Sequence, residues 1–359
     1  MKKVFKLLAI SVMCLITAFC FVACGGGNKG DSDEPGIICK KFGKDDYYTV
    51  IGYNAEDGVS TLDVSAAAQA KYGDTVVVGR IKTGAFDGNS TLKEITVTDP
   101  AGDGVDLVID EGAFKNIRAL KKITLPFVGA NAFSDAYPNE TPPAIGDELK
   151  ATDAARSFGY IFGEEESDFA FPASMNYGSG SATFYIPASL NEIVIKPQSE
   201  INIPMYAFCN LTGITAVRLD DGQADIKAIG ESAFKDAASL SVVNIPASVK
   251  VIYASAFEGT TALKVFGENG FSVAAGSMLE EIKESAFKGT RLNAFDISGT
   301  QVAKIGDYAF YGSALTAFTF SAQIEKVGAY AFANSDKLVV NVPACEIGAG
   351  AFNGVKEAN

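Results

Sequence analysis

Carboxylates are the side chains through which this chain could carry out chemistry, since its 359 residues include 43 aspartates and glutamates and no histidine. The lack of histidine removes the commonest general base, the usual catalytic triads and most metal sites. Paired carboxylates can still hydrolyse glycosides, which leaves a carboxylate-dependent hydrolase as a remote alternative. The densest acidic run is Glu164-Glu165-Glu166, and we expect it to form a solvated loop.

Two further acidic stretches could hold calcium, which prefers carboxylate oxygens. One spans residues 220–225, and the other contains Asp99, Asp103, Asp106 and Asp110. Neither stretch has the ligand spacing of a helix–loop–helix calcium site. We therefore expect both to be charged loops between structural repeats.

The remaining chemical signals are weak. Cys39, Cys209 and Cys345 lie too far apart to indicate a zinc site or a disulfide framework. No Gly-x-Ser-x-Gly elbow or phosphate-binding loop stands out. We predict no catalytic residue, no cofactor and no metal ligand, and expect a protein that is not an enzyme.

The elements that position these side chains follow from a repeat. Ten Ala-Phe pairs recur in one frame, and successive phenylalanines lie 28, 19, 75, 26, 23, 30, 23, 22 and 20 residues apart. Such a period is typical of a solenoid, in which each turn buries its apolar face only against neighbouring turns. The phenylalanines are Phe86, Phe114, Phe133, Phe208, Phe234, Phe257, Phe287, Phe310, Phe332 and Phe352.

One repeat, from residue 229 to 252, shows how a turn is built. It opens with Ile229-Gly230-Glu231-Ser232-Ala233-Phe234, and it continues to Val243 and Ile245, which alternate with a polar residue as in a half-buried strand. Pro246 then ends the strand. The pattern predicts a mainly β solenoid with one short parallel strand per turn of about 20–30 residues and irregular or short helical return arms. We expect the Ala-Phe rings, Phe133 included, to stack in its core.

The frame Ile-Gly-x-x-Ala-Phe, followed by Leu-x-x-Val-x-Ile-Pro, resembles the BspA-like leucine-rich-repeat surface proteins. The resemblance runs from about Tyr48 to Phe352. Residues 48–53 resemble the family's N-terminal strand, residues 157–163 an interrupting segment, and residues 186–193 the strand that follows it. The resemblance implies a right-handed leucine-rich-repeat coil. It also implies attachment to host matrix proteins, host cells or other bacteria.

The N-terminus predicts export. Residues 1–23 combine a basic start with a short apolar core, as a signal peptide does, and Val22-Ala23-Cys24 resembles the end of a bacterial lipobox. We expect lipidation at Cys24 and anchoring at the bacterial cell surface. Residues 24–36 read as a flexible tether, whose glycine content favours a Gram-positive source. We expect an N-terminal β cap over residues 37–80 and the solenoid over 81–359, with an irregular insertion at about 134–183.

The outward strand positions form the candidate ligand face. They mix small, polar and charged side chains and carry no aromatic stripe for stacking sugars. A second row of tyrosines, Tyr206, Tyr308 and Tyr330, is expected to cap the ridge between coils. The candidate ligand-face residues are Lys122, Arg218, Asn244, Asp296 and Thr319.

Charge limits the partners. Without residues 1–23 the chain has 27 basic and 43 acidic side chains, a formal charge of −16 that repels nucleic acid and anionic headgroups. We expect an adhesion scaffold that binds a protein ligand and meets the membrane only through its lipid. The alternative is a lipoprotein that captures a glycan or peptide nutrient, with its site in the insertion between residues 134 and 200.

Overall fold

Each turn of the chain contributes two short strands, because two apolar stretches flank every Ala-Phe arm. The computed structural model describes residues 34–42, 45–100, 105–131, 154–177, 180–220, 225–267 and 270–359. The predicted repeat solenoid with parallel sheets is confirmed. The sequence did not predict the second strand of each turn, because this strand spans only two to four residues and is too short to show a period.

The strands that carry the alternating pattern build two parallel front sheets. The first front sheet has the strands β3 (Thr61–Asp63), β5 (Glu94–Thr96), β7 (Lys122–Leu125), β10 (Glu192–Ile195), β12 (Ala216–Leu219), β14 (Val242–Ile245) and β16 (Phe271–Val273). The second front sheet has β18 (Ala294–Asp296), β20 (Ala317–Thr319), β22 (Val339–Val340) and β24 (Glu357–Ala358).

The strands just before the Ala-Phe arms build a parallel side sheet. Its members are β11 (Ile201–Ile203), β13 (Ile226–Ile229), β15 (Val251–Ile252), β17 (Glu281–Ile282), β19 (Lys304–Ile305), β21 (Lys326–Val327) and β23 (Glu346–Ile347). Their last residues are buried in the core, as at Ile229, Ile252 and Ile282, except that Ile347 in the final strand is exposed.

The N-terminal cap is a mixed sheet with a helix. Its strands are β1 (Gly36–Lys40), β2 (Tyr48–Asn54), β4 (Val78–Ile81) and β6 (Val108–Ile109), and β1 pairs antiparallel with β2. Helix α1 (Val64–Tyr72) begins where the Asp63 carboxylate accepts a hydrogen bond from the Ala66 N–H at 2.9 Å. Within the described ranges, no helix is long and apolar enough to cross a membrane.

The Ala-Phe rings form the predicted column in the core. From Phe208 to Phe352, successive ring centroids lie 4.9–5.4 Å apart with interplanar angles of 3–14°. Phe86 and Phe114 stack in the same way, at 4.9 Å. All of these rings except Phe352 are buried, and Phe133 lies outside the described residues.

The insertion continues this column instead of interrupting it. A 3-10 helix, η1 (Phe158–Phe162), places two rings between Phe114 and Phe208, with centroid distances of 6.3, 5.4 and 5.6 Å along the series. The Phe158 N–H donates to the Ala207 carbonyl at 2.9 Å, as each Ala-Phe arm does to the next. This segment therefore acts as one more coil, although it contains no Ala-Phe pair.

An antiparallel hairpin follows η1 and completes the insertion. It consists of β8 (Ala170–Tyr177) and β9 (Gly180–Pro187). Ala173 and Phe184 are buried beneath it, and Phe171 packs where a side chain at Gly213 would clash. The irregular structure expected over residues 134–183 is thus wrong for the described residues from 154 onward, since these form a helix and a hairpin.

Two residues per arm adopt left-handed backbone, which closes the turn tightly on both sides of Ala-Phe. Their φ values lie between 52° and 74°. The position two residues after the phenylalanine uses only glycine, asparagine or aspartate, which tolerate this conformation. The position two residues before it is held by Gly84, Gly112, Tyr206, Ser232, Ser255, Ser285, Tyr308, Tyr330 and Gly350.

The front ladder divides within the longest repeat, where Phe257 and Phe287 are 30 residues apart. The chain leaves the ladder after residue 264 and returns at β16, and the Phe271 N–H donates to the Val265 carbonyl at 2.8 Å. Because β16 pairs with β14 and not with β18, the outward face consists of two separate sheets.

Candidate functional site: the outward face of the front sheets

Outward side chains of the front sheets lie in two rows, one residue per coil. The pairing places Val194 opposite Arg218 and Arg218 opposite Asn244 in one row. Lys122 pairs with Glu192 and belongs to the neighbouring row. The candidate residues of the first front sheet therefore occupy two adjacent rows, separated by one strand position.

Asp296 and Thr319 lie opposite one another in the second front sheet. The sequence groups them with Arg218 and Asn244 as one outward position in nearby turns. The two pairs belong to different sheets, so the structure gives two short rows where the outward strand positions in the sequence suggested one.

Glu192 joins the two rows of the first front sheet by ion pairs. Its Oε1 lies 3.4 Å from the Lys122 Nζ and 3.2 Å from the Arg218 Nε. The side chains of Lys122 and Arg218 are 38% and 47% exposed. Exposed pairs of this kind stabilise a fold by no more than about 1 kcal/mol, which leaves both cations available to a ligand.

Two candidate residues already bond to backbone. The Leu219 N–H donates to Asn244 Oδ1 at 3.0 Å, and the Asn244 amide donates back to the Leu219 carbonyl, which ties two coils together at the end of the strands. Asp296 Oδ1 accepts from the Ser298 N–H at 2.9 Å. Asn244 thus bonds to a neighbouring coil, and Asp296 bonds within a local turn. The spacing of residues in the sequence does not reveal the contact that Asn244 makes.

A concavity of about 320 Å³ opens beside Arg218 at the ends of β10, β12 and β14. Its volume is at the lower end of ligand pockets. Val194 belongs to the range 134–200 in which a nutrient-capture site was expected, and the other lining residues come from later coils. Its lining is Val194, Arg218, Leu219, Asp220, Asn244, Pro246 and Ala274.

The sequence comparison defines the family. The profile of the BspA type leucine rich repeat region matches residues 75–139, 178–270 and 266–358, with six copies of the repeat. The chain belongs to the BspA-type leucine-rich repeat family. Leucine-rich repeats are typically non-enzymatic scaffolds that mediate protein binding. Among curated protein sequences, none matches this chain.

Several solved bacterial structures are similar to this BspA-type chain. A leucine rich repeat protein of T. pallidum is 20% identical, covers 53% of this chain and 88% of its own, and has a TM-score of 0.40. One from Bacteroides ovatus is 16% identical over 90% of this chain and 80% of its own, with a TM-score of 0.36. A leucine rich cell surface protein of Faecalibacterium prausnitzii is 16% identical over 88% and 85%, with a TM-score of 0.25.

The acidic run of the insertion, Glu164 to Glu166, lies beside other charged side chains in this BspA-type protein. Glu165 lies 2.7 Å from the Lys115 Nζ in an ion pair. Burial raises the pKa of Glu111, and the nearby carboxylate of Glu164 raises it further. Glu111, Glu164 and Glu165 line neither the concavity beside Arg218 nor the one between β1 and helix α1.

The calcium alternatives find no support in the described residues, where no group of three or more acidic, histidine or cysteine side chains could hold a metal ion. Asp110 pairs with Arg80 at 2.9 Å, and burial raises the pKa of Asp99. Asp103 and residues 221–224 lie outside the described ranges.

The cysteines of the described ranges are free thiols. Burial raises the pKa of Cys39 to about 12 and that of Cys209 to about 11. A thiol that stays protonated at neutral pH is a poor nucleophile and a poor metal ligand. Both residues therefore act as small core side chains.

The tyrosine row stacks partly as expected for a ridge between coils. Tyr308 and Tyr330 are 36% and 38% exposed, and their ring centroids lie 5.2 Å apart at 16°. The Tyr330 ring occupies the space over Gly350, where an added Cβ would come within 2.7 Å of it. Tyr206 is partly buried and lies several coils away from this pair.

Proposed function

We propose that this protein is a bacterial cell-surface lipoprotein that binds a protein ligand on the outward face of its first front sheet. The observation that carries the proposal is the concavity beside Arg218, where a half-exposed guanidinium lies among apolar side chains on a face presented by consecutive coils. Arginine in such surroundings is a common anchor of protein interfaces. Membership of a repeat family that generally mediates protein binding supports the same conclusion.

The ligand contacts residues that are neighbours in space but one repeat apart in sequence. Strands of one sheet lie about 4.8 Å apart, so Arg218 and Asn244 start from adjacent strands within about 5 Å, beside the nearly buried Val194. Lys122 extends this surface in the adjacent row, and Asp296 and Thr319 contribute only to a ligand that also spans the second front sheet.

Export and anchoring complete the proposal. The sequence of residues 1–23 supports a cleaved signal peptide, Cys24 a lipid anchor and residues 24–36 a tether. Residues 1–33 lie outside the described ranges, whereas Gly36 pairs with Asn54 in strand β1, so the end of the expected tether belongs to the fold. The folded part then comprises a cap, expected over 37–80 and extended by Gly36, and the repeat solenoid over 81–359. Two or three acyl chains would anchor it stably at the cell surface.

A screen of the full-length protein against immobilised matrix proteins, mucins and bacterial surface proteins tests the function. Arg218→Glu should abolish capture of the protein ligand, and Arg291→Glu, another exposed arginine outside this face, is the matched control. Full capture by Arg218→Glu would move the site off the first front sheet. A screen in which only free glycans or peptides bind would favour the nutrient-capture alternative.

A further inference from the structure

Three exposed cations meet at a corner between the Ala-Phe arms and the first front sheet. Lys93 and Lys121 occupy the same position in adjacent coils, since the Lys121 N–H donates to the Lys93 carbonyl at 2.7 Å. Arg118 precedes Lys121 by three residues, and its N–H donates to the Asn89 carbonyl at 2.8 Å. The backbone ladder therefore fixes where all three side chains start. We call these residues, together with Phe169, the basic corner.

None of the three cations forms an ion pair with another described residue. This distinguishes them from Lys115 and Lys122, which each pair with a carboxylate in a neighbouring coil. Like charges directly opposite on adjacent strands repel each other. Lys93 and Lys121 lie one residue before the paired strands β5 and β7, so two like charges start from neighbouring backbone positions.

Phe169 adds an exposed ring to the corner. Its side chain is 47% exposed, and the Arg118 guanidinium lies 4.3 Å from the ring centroid in a cation–π contact. This contact holds the guanidinium against the ring and keeps both at the surface. The corner therefore presents an apolar ring edge beside three positive charges.

The charge of the corner is opposite in sign to that of the chain. The sequence neighbours of the corner residues add two carboxylates, Glu94 and Asp168, and one further cation, Lys122, so positive charges remain in excess. Glu192, the next carboxylate along the sheet, is already shared by Lys122 and Arg218. The whole chain carries a formal charge of −13, so a local excess of positive charge at this corner is contrary to its overall composition. Such a patch favours the binding of an anionic ligand.

We propose that the basic corner is a second binding site and that it takes an acidic glycan chain bearing sulfate or carboxylate groups. Lysine is depleted from protein–protein interfaces, and the corner lacks the apolar core that such an interface needs. A polyanionic chain instead gains favourable electrostatic energy from each exposed cation, and this attraction does not require water to be excluded from the interface. The apolar face of a sugar ring can rest against Phe169 while its charged substituents meet Lys93, Arg118 and Lys121.

The test is binding of a size-defined heparin oligosaccharide to the full-length protein at low salt. Lys93→Ala with Lys121→Ala should weaken binding roughly tenfold, and binding by the parent should fall steeply as salt is raised. Lys304→Ala with Lys337→Ala is the charge-matched control, since both lysines are exposed and unpaired in the described structure. Arg118→Lys should retain part of the affinity, and Phe169→Ala should lose part of it.

Four results would overturn the assignment. Equal binding by the parent and the Lys93/Lys121 double variant removes the site, and equal loss in the control double variant shows a general charge effect. Equal binding of desulfated, carboxyl-reduced heparin shows that the anionic groups are not recognised. Binding of the Cys24→Ser variant to phosphatidylglycerol vesicles, but not to heparin, makes the ligand a lipid headgroup. Arg218→Glu should leave heparin binding intact, which separates this site from the protein-binding face.

Discussion

Replacing Phe257 by alanine tests whether the ring column holds the solenoid together. Phe257 is fully buried and stacks between Phe234 and Phe287, at centroid distances of 4.9 and 5.1 Å. Phe271 meets the same ring edge-on at 5.4 Å. Truncation leaves a cavity that the fixed coils on both sides cannot fill, so we expect a loss of about 3–5 kcal/mol in the free energy of unfolding.

Phe352 provides the comparison within the same column. Its ring is only partly buried, and among the described aromatic residues it stacks on Phe332 alone, at 5.4 Å. One ring contact and partial burial together correspond to about 1–2 kcal/mol. Phe352→Ala should therefore cost less than half as much as Phe257→Ala.

The assay is urea unfolding followed by far-ultraviolet circular dichroism, because the chain contains no tryptophan to report by fluorescence. Phe42→Ala is the control, since this ring is 46% exposed and its removal should change stability by about 0.5 kcal/mol or less. Equal losses at Phe257 and Phe352 would refute the reasoning, because a stack of coils must distinguish an interior position from one with a single neighbour.

Three further predictions concern the backbone, a charged group and the leader. Gly306→Ala should destabilise the fold by about 1–3 kcal/mol in the same unfolding assay, because its Cβ would clash with the backbone nitrogen of Glu284, whereas Gly299→Ala, with open space around it, should be neutral. Burial alone would raise the pKa of Glu258, but hydrogen bonds from Lys235, Lys288 and Ser255 outweigh burial and lower this pKa below its usual value. The stability that the Glu258 carboxylate contributes at neutral pH should therefore be lost as the pH falls below about 4.5. Glu258→Gln should flatten that part of the curve of unfolding free energy against pH. Cys24→Ser should leave export intact and move the protein from the detergent phase to the aqueous phase; an aqueous parent would exclude the lipid anchor.

The core was readable from the sequence because each turn repeats its buried residues at fixed offsets. Val243, Ile245 and Phe234 represent positions that the structure buries in most coils, although Phe320 and Phe352 near the C-terminal end are only partly buried. The side-sheet strands were missed because two residues, such as Lys304 and Ile305, cannot display a period. Phe158 and Phe162 were missed as column members because a 3-10 helix brings two rings inward without the Ala-Phe signature.

The left-handed positions had a sequence signal that the repeat frame alone did not reveal. Glycine, asparagine or aspartate stands two residues after each described Ala-Phe phenylalanine, as at Gly259 and Asn334. The candidate site was less predictable. The 30-residue spacing indicated that extra residues lie between Phe257 and Phe287. It did not indicate that these residues divide the front strands into two sheets. Nor could spacing show that Asn244 bonds to the backbone of the preceding coil.

A solenoid separates the residues that fold it from those that bind. Each coil packs only on its neighbours, so inward positions are fixed by the ring column while outward ones remain free to vary. Exposed substitutions such as Arg218→Glu and Lys93→Ala should therefore leave unfolding within about 0.5 kcal/mol of the parent. A binding loss in either variant then reports contact with the ligand and not damage to the fold. Because the basic corner and the concavity beside Arg218 lie on different parts of the coil, one protein could hold a glycan and a protein at once, and their variants should fail independently.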